Sequence, residues 1–145
     1  LNNLKNDNTE DKALNKTDVM QSVLKCTDLR IGNLVYSKET NRFQKITGLT
    51  DENPFIDAVT FDYTNYDEIE AIPITEEMLF NFGYGKKHDI YYKNNSLLRS
   101  IGNEVFYCRG EIDDAEFQEY ITSVKYVHQL QNLYFALTGR ELTVA

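Results

Sequence analysis

The chain is poor in the residues from which many catalytic centres, metal sites and disulfide frameworks are built. Its 145 residues include only two cysteines, Cys26 and Cys108, and two histidines, His88 and His128. A metal cluster or disulfide framework would need more cysteines at tighter spacing, so we expect two ordinary buried or half-buried thiols. A Cys–His catalytic pair has no supporting local motif. We therefore predict a protein that is not an enzyme and has no metal or cofactor.

Long apolar runs are also missing, which excludes a membrane-spanning helix. The N-terminal residues lack the basic-then-apolar pattern of a secretory signal, and nothing in the cysteine usage demands an oxidising compartment. We therefore expect a cytoplasmic protein. The composition is nevertheless that of a globular fold, with 41% apolar residues, 10 tyrosines and 8 phenylalanines. The length suits a single domain that buries a core without staples.

Lysine and arginine are absent from the whole stretch 46–85. The formal net charge of the chain is −8. That stretch holds nine acids: Asp51, Glu52, Asp57, Asp62, Asp67, Glu68, Glu70, Glu76 and Glu77. A second acidic run follows at Glu111, Asp113, Asp114, Glu116 and Glu119. Such a surface repels a phosphate backbone and steers a basic partner towards it. It excludes direct nucleic-acid binding through these faces and favours either simple solubility or a protein partner.

The N-terminal arm, residues 1–16, is predicted to be disordered, because its few apolar side chains cannot offset the entropy of ordering. Residues 17–145 are predicted to form one compact α+β domain. A short helix over 18–25 begins it, with Thr17 as its N-cap. Four short strands at 34–36, 43–47, 56–63 and 69–72 then suggest a small, strongly bent antiparallel sheet or partial barrel.

A short middle helix is predicted after Pro73. Thr75 can accept a hydrogen bond from the backbone of Met78, Ile74 and Leu79 occupy the positions of a hydrophobic staple, and Gly83 can end the helix. The glycines and lysines of 83–87 lack the spacing of a P-loop and indicate a helix cap followed by a turn. Strands at 90–93, 96–101 and 104–108 form a second set. Residues 117–122 fit either a strand or the start of a helix.

The C-terminal helix is predicted over 124–138, with Gly139 beyond its end. One stripe of it is core: Tyr126, Leu130, Leu133, Tyr134 and Leu137. The opposite stripe combines polar groups with one aromatic ring and should face solvent: His128, Gln131, Asn132 and Phe135. It is either a solvated face with one stray phenylalanine, a face covered by the N-terminal arm, or a ridge that binds a partner.

Three stretches of the chain carry a resemblance to other proteins: residues 125–142 read KYVHQLQNLYFALTGREL, residues 29–35 read LRIGNLV and residues 72–75 read IPIT. They resemble a family of small proteins of unassigned activity from phages, prophages and mobile elements of Bacteroidetes-type bacteria. The resemblance spans about residues 28 to 142 and leaves out the N-terminal arm. It implies a genomic context, and hence the cytoplasm of a host cell, but no catalytic residues.

The function expected from these features is that of a non-catalytic, protein-binding accessory protein of a phage or mobile element. Its partner could be a basic nucleic-acid-binding protein of host defence, such as a CRISPR nuclease, which the acids would inhibit by imitating nucleic acid. The candidate binding residues are Asp57, Asp62, Asp67, Glu68, Glu70, His128, Gln131, Asn132 and Phe135. The alternatives are a structural or assembly component of a phage and, third, an unrecognised enzyme.

Overall fold

The computed structural model describes residues 23–56, 63–114 and 118–144. The predicted N-terminal arm, most of the predicted helix 18–25, and Asp57, Asp62 and Glu116 lie outside the described residues. The described part is an α+β mixture of two antiparallel sheets, a middle helix and a C-terminal helix, as the sequence predicts.

The first sheet has the order β3-β2-β1-β4 and curls into a half-barrel. Its strands are β1 (Leu34–Ser37), β2 (Arg42–Leu49), β3 (Pro54–Ile56) and β4 (Ile69–Glu70). The register of β2 against β3 shifts between Ile46 and Gly48, and such a bulge bends a strand. Val35, Ile46 and Ile69 belong to one buried apolar cluster of this sheet. The predicted bent sheet or partial barrel is confirmed.

Most of the predicted strand 56–63 lies outside the described residues; of its two ends, Ile56 closes β3 and Tyr63 forms an antiparallel bridge with Phe55. The predicted helix 18–25 is wrong where the structure describes it. Val23, Leu24 and Lys25 are not helical, because the chain there enters a 3-10 turn at Cys26–Asp28. The Asp28 carboxylate accepts a hydrogen bond from the Lys25 backbone N–H at 2.9 Å, which holds this turn.

The middle helix, α1 (Glu76–Asn81), begins as predicted. The Thr75 hydroxyl accepts a hydrogen bond from the Met78 N–H at 3.2 Å. Gly83 follows the helix with φ of +86°, a conformation that glycine adopts without strain. Met78 and Leu79 are buried in the main core, and Ile74 packs against it.

The second sheet is a meander of β5 (Gly85–Lys87), β6 (Ile90–Lys93), β7 (Ser96–Ile101), β8 (Glu104–Arg109) and β9 (Glu119–Val124). The open alternative at 117–122 is decided in favour of a strand from Glu119. The turn predicted within 83–87 is wrong, because Gly85 to Lys87 pair with β6. A Cβ at Gly85 would lie 2.6 Å from Cζ of Tyr92, so the glycine lets the tyrosine ring lie across this edge strand.

The C-terminal helix, α2 (Val127–Thr138), lies between the two sheets. It begins three residues later than predicted because Val124 still pairs with β8. Leu130 and Tyr134 pack with Leu98 and Tyr107 of the second sheet in the main core. Leu34 and Tyr36 of β1 contact the same core from the other side. The helix is therefore the layer that joins the two halves.

Candidate functional site

The face of α2 that was predicted to meet solvent is largely buried. His128 is 4% exposed and Gln131 is 2% exposed, while Asn132 is half-buried. The expectation of a solvent-facing stripe is wrong for these residues, because the start of β1 and the C-terminal segment cover them. A partner protein cannot reach His128 or Gln131 in this fold.

Gln131 instead ties three segments of the chain together. Its Oε1 accepts a hydrogen bond from the Leu34 N–H at 2.8 Å, and its Nε2 donates to the Leu142 carbonyl at 3.1 Å. Asn33 Nδ2 donates to Asn132 Oδ1 at 2.8 Å beside it. A buried amide needs such partners, because leaving it unsatisfied costs free energy. The polar residues of this stripe therefore form an internal contact.

Phe135, which is 38% exposed, is covered on one side by Arg30. The Arg30 guanidinium lies 4.1 Å from the centre of the phenylalanine ring, a cation–π geometry. The same guanidinium donates two hydrogen bonds to Glu141, at 2.6 and 2.9 Å. The hydrogen bond from Arg30 lowers the pKa of the Glu141 carboxyl. Phe135 is thus part of an internal cluster rather than a free aromatic ridge.

His128 is a buried side chain that stacks on an aromatic ring in this interface. Its ring lies parallel to Tyr126, with centroids 5.9 Å apart, and its Nδ1 has no hydrogen-bond partner in the described part of the chain. Burial lowers the pKa of His128, and the charge of Asp28 offsets this shift in part. Protonation of His128 would place between the sheet and the helix a positive charge that Asp28 compensates only in part.

The acidic residues of the middle stretch remain exposed in most cases. Asp67 and Glu68 lie on a 3-10 turn, Tyr66–Glu68, that leads directly into Glu70 of β4. Of the seven acids of the stretch that the structure describes, two are ion-paired: Glu70 with Lys38 at 3.5 Å and Glu76 with Lys86 at 2.8 Å. The other five make no ion pair within the described ranges: Asp51, Glu52, Asp67, Glu68 and Glu77. Cations from elsewhere in the chain therefore neutralise the stretch only in part.

A groove of about 420 Å³ separates the edge strand β4 from helix α1. We call it the β4–α1 groove; it is lined by Tyr36, Phe43, Glu70, Ala71, Ile72, Pro73, Thr75, Glu77, Met78 and Asn81. Tyr36 and Phe43 meet edge to face, with ring centres 6.2 Å apart. Phe43 is 53% exposed, so an apolar ring in the groove stays in contact with water. Burying such a ring favours binding of a partner.

The charges that line the β4–α1 groove are all negative. Glu70 and Glu77 are exposed there, and no lysine or arginine is among its lining residues. Lys38 reaches Glu70 from outside and also donates to the Asp67 carbonyl at 2.9 Å, but exposed ion pairs of this kind are weak. Apolar rings beside carboxylates suit a ligand that carries both apolar and basic groups.

The other groups considered from the sequence are separated in space. His88 is exposed in the turn between β5 and β6, whereas Cys108 is buried in a small cluster with Ile90 and Leu97. Burial raises the pKa of the Cys108 thiol, which disfavours a nucleophilic thiolate. Lys86 and Lys87 are ion-paired with Glu76 and Asp113. Both cysteines are free, one half-buried and one buried, as predicted.

The fold and the groove define an α+β protein with an apolar, acid-lined groove between a sheet edge and a helix. Comparison of the chain with models of protein families, with curated proteins and with solved structures finds no match. In the portion that the structure describes, no helix has the length and apolar character needed to cross a lipid bilayer. In the same portion, no three side chains among His, Cys, Asp and Glu converge as metal ligands would.

Proposed function

We propose that this chain is a non-catalytic binding protein of a phage or mobile element that acts in the host cytoplasm. It holds a basic and apolar segment of a partner protein in the β4–α1 groove. The partner class with such segments that best fits an acidic competitor is a nucleic-acid-binding protein, whose basic surface the carboxylates would occupy. The genomic context rests on the resemblance described above.

One observation carries this proposal: exposed aromatic surface and two exposed carboxylates share one groove that has no lysine or arginine among its lining residues. Phe43 supplies apolar area whose burial favours association, and Glu70 and Glu77 supply charge of one sign. Asp67 and Glu68 extend the negative potential along the chain from β4. Charge complementarity of this kind fixes which partners approach and how fast they associate.

The test uses a fluorescent peptide of alternating lysine and leucine as a defined probe, followed by anisotropy. Binding should weaken markedly between about 0.05 and about 0.5 M salt, because the charges are exposed to screening. Replacing both groove carboxylates, E70Q with E77Q, should weaken binding about fivefold to tenfold at low salt, given about 0.5 kcal/mol or slightly more for each exposed charge. A peptide with glutamate in place of lysine should not bind.

The matched control is the pair E104Q and E111Q. Both glutamates are exposed and make no ion pair in the described ranges, and they lie outside the groove on the side of the second sheet. This pair removes the same net charge, so it should leave peptide binding within about twofold of the wild type. If both double variants weakened peptide binding equally, the loss would be a general effect of net charge and would contradict a binding site in the groove.

An assembly component is the second candidate, and the open edge of the second sheet favours it. All of β9 before Val124 is exposed, and Tyr120 and Ile121 stand on it as exposed apolar residues. An exposed edge strand is a template for pairing with another chain. Self-association through this edge would serve a phage structure.

A further inference from the structure

A cleft of about 870 Å³ opens between the C-terminal half of α2 and the β8–β9 edge of the second sheet. It is larger than the β4–α1 groove and lies on different elements. Its size matches pockets that enclose small organic ligands, which are commonly about 300–1,000 Å³. The groove proposed to bind a partner protein shares no lining residue with this cleft.

Two arginines line this cleft, Arg109 at the end of β8 and Arg140 just beyond α2. In the part of the chain that the structure describes, neither makes an ion pair, whereas Arg30 and Arg99 both do. The lining residues include no acid. Glu119 is the cross-strand neighbour of Arg109, but their side chains do not reach ion-pair distance. Two guanidiniums without a carboxylate beside them give this cleft a local positive charge, although the chain as a whole has a net charge of −8.

The remaining lining offers apolar surface and hydrogen-bonding groups. Ile121 is 45% exposed and Leu137 is 53% exposed, so both present apolar area to the cleft, and Tyr107 is buried beneath them. The Asn95 side chain also lines the cleft, while Asn94 Nδ2 donates to the Tyr134 hydroxyl at 3.0 Å and so fixes the neighbouring turn. A ligand that fits this lining has an apolar body and an anionic end.

We infer that this cleft binds a small organic phosphate, with Arg109 and Arg140 holding the phosphate group. Guanidinium groups recognise phosphate through paired hydrogen bonds, and two of them balance the charge of a phosphate dianion. Ile121 and Leu137 contact the apolar body of the ligand. This site is independent of the protein-binding groove, so either could fail without the other.

The test measures binding of phenyl phosphate by chemical-shift titration. Inorganic phosphate, phenol and benzoate are titrated separately as comparison ligands. Phenyl phosphate has both the dianion and an apolar ring, so it should bind at least about tenfold more tightly than any of the three. R109Q and R140Q should each weaken its binding by about tenfold. R109K and R140K keep the charge but lose the planar fork, so they should fall between the wild type and the glutamine variants.

The matched control is R42Q. Arg42 is an exposed arginine of the first sheet that makes no ion pair in the described residues and does not line the cleft. R42Q should bind phenyl phosphate as the wild type does. The proposal is overturned if phenyl phosphate shows no saturable binding, if benzoate binds as tightly, or if R42Q weakens binding as much as R109Q or R140Q. Retained binding in both R109Q and R140Q would overturn it as well.

Discussion

Gln131 joins its own helix to two other segments, one of which, the start of β1, lies 97 residues earlier in the sequence. It is buried on α2, and its amide bonds to Leu34 at the start of β1 and to Leu142 beyond the helix. An amide can donate and accept at once, so one side chain satisfies backbone groups of two segments. The interface between the first sheet and the C-terminal helix therefore depends on a polar residue in an otherwise apolar setting.

Replacing Gln131 with leucine should destabilise the fold strongly. Q131L keeps a similar volume but leaves the Leu34 N–H and the Leu142 carbonyl buried without partners, a loss of about 2–4 kcal/mol in the free energy of unfolding. Urea denaturation followed by circular dichroism measures it. The matched control is Q129L on the same helix, where Gln129 is exposed and accepts from the Tyr126 N–H. Q129L should lose about 1 kcal/mol or less.

Protonation of His128 should make the protein less stable in mild acid. Its pKa is lowered in the folded protein by burial, so the unfolded chain binds a proton more readily than the folded one. With respect to His128, the free energy of unfolding is therefore highest above about pH 6.5, the ordinary pKa of a histidine in the unfolded chain, and it falls as the pH drops below that value. Urea denaturation at a series of pH values measures this slope.

The variant H128N should flatten that slope, even if it lowers stability at every pH. H88N is the control, because His88 is exposed in a turn with φ of +57°, a conformation that asparagine tolerates. A wild-type slope that persists in H128N and disappears in H88N would contradict the assignment to His128.

Elements whose ends are set by contacts within a few residues are predicted well from local sequence, and an element that depends on strand pairing is not. Thr75, the apolar residues beside it and Gly83 set both ends of α1 through contacts within a few residues, so local pattern suffices. The turns at Asn94 and Gly102 likewise mark the hairpins of the second sheet, and both residues have positive φ. β5 was missed because its strand character comes from pairing with β6, and its sequence of glycine and two lysines gives no alternation.

The edge strand β9 gives the assembly alternative a direct test. If self-association uses this edge, the mass measured by light scattering should rise with protein concentration, and I121K should suppress the rise because a charged residue on an edge opposes pairing. I101K is the control: Ile101 is similarly exposed, at the end of the internal strand β7. A constant monomer mass over the concentration series would contradict assembly.

The arrangement of the layers is what sequence pattern could not give. Periodicity correctly places Leu130 and Tyr134 on the core side of α2, but it wrongly places Leu137 there, which is 53% exposed. It also assumes that a helix has one buried face. The first sheet covers the face of α2 that carries His128 and Gln131. It does so through residues about 100 positions earlier in the chain, such as Asn33, and local sequence does not predict such a contact. For the same reason the sequence does not predict the β4–α1 groove: Glu70 is a candidate only as part of the acidic stretch, and Phe43 and Glu77 join it in the groove through the tertiary fold.

The position of α2 between the sheets also bears on how the chain matures in the cell. Synthesis proceeds from the N-terminus, so both sheets emerge from the ribosome before the helix that covers them. Until α2 is made, Leu98 and Tyr107 on one side and Leu34 on the other lack the apolar contacts that Leu130 and Tyr134 supply. We therefore expect the complete native core to form only after translation has passed the helix.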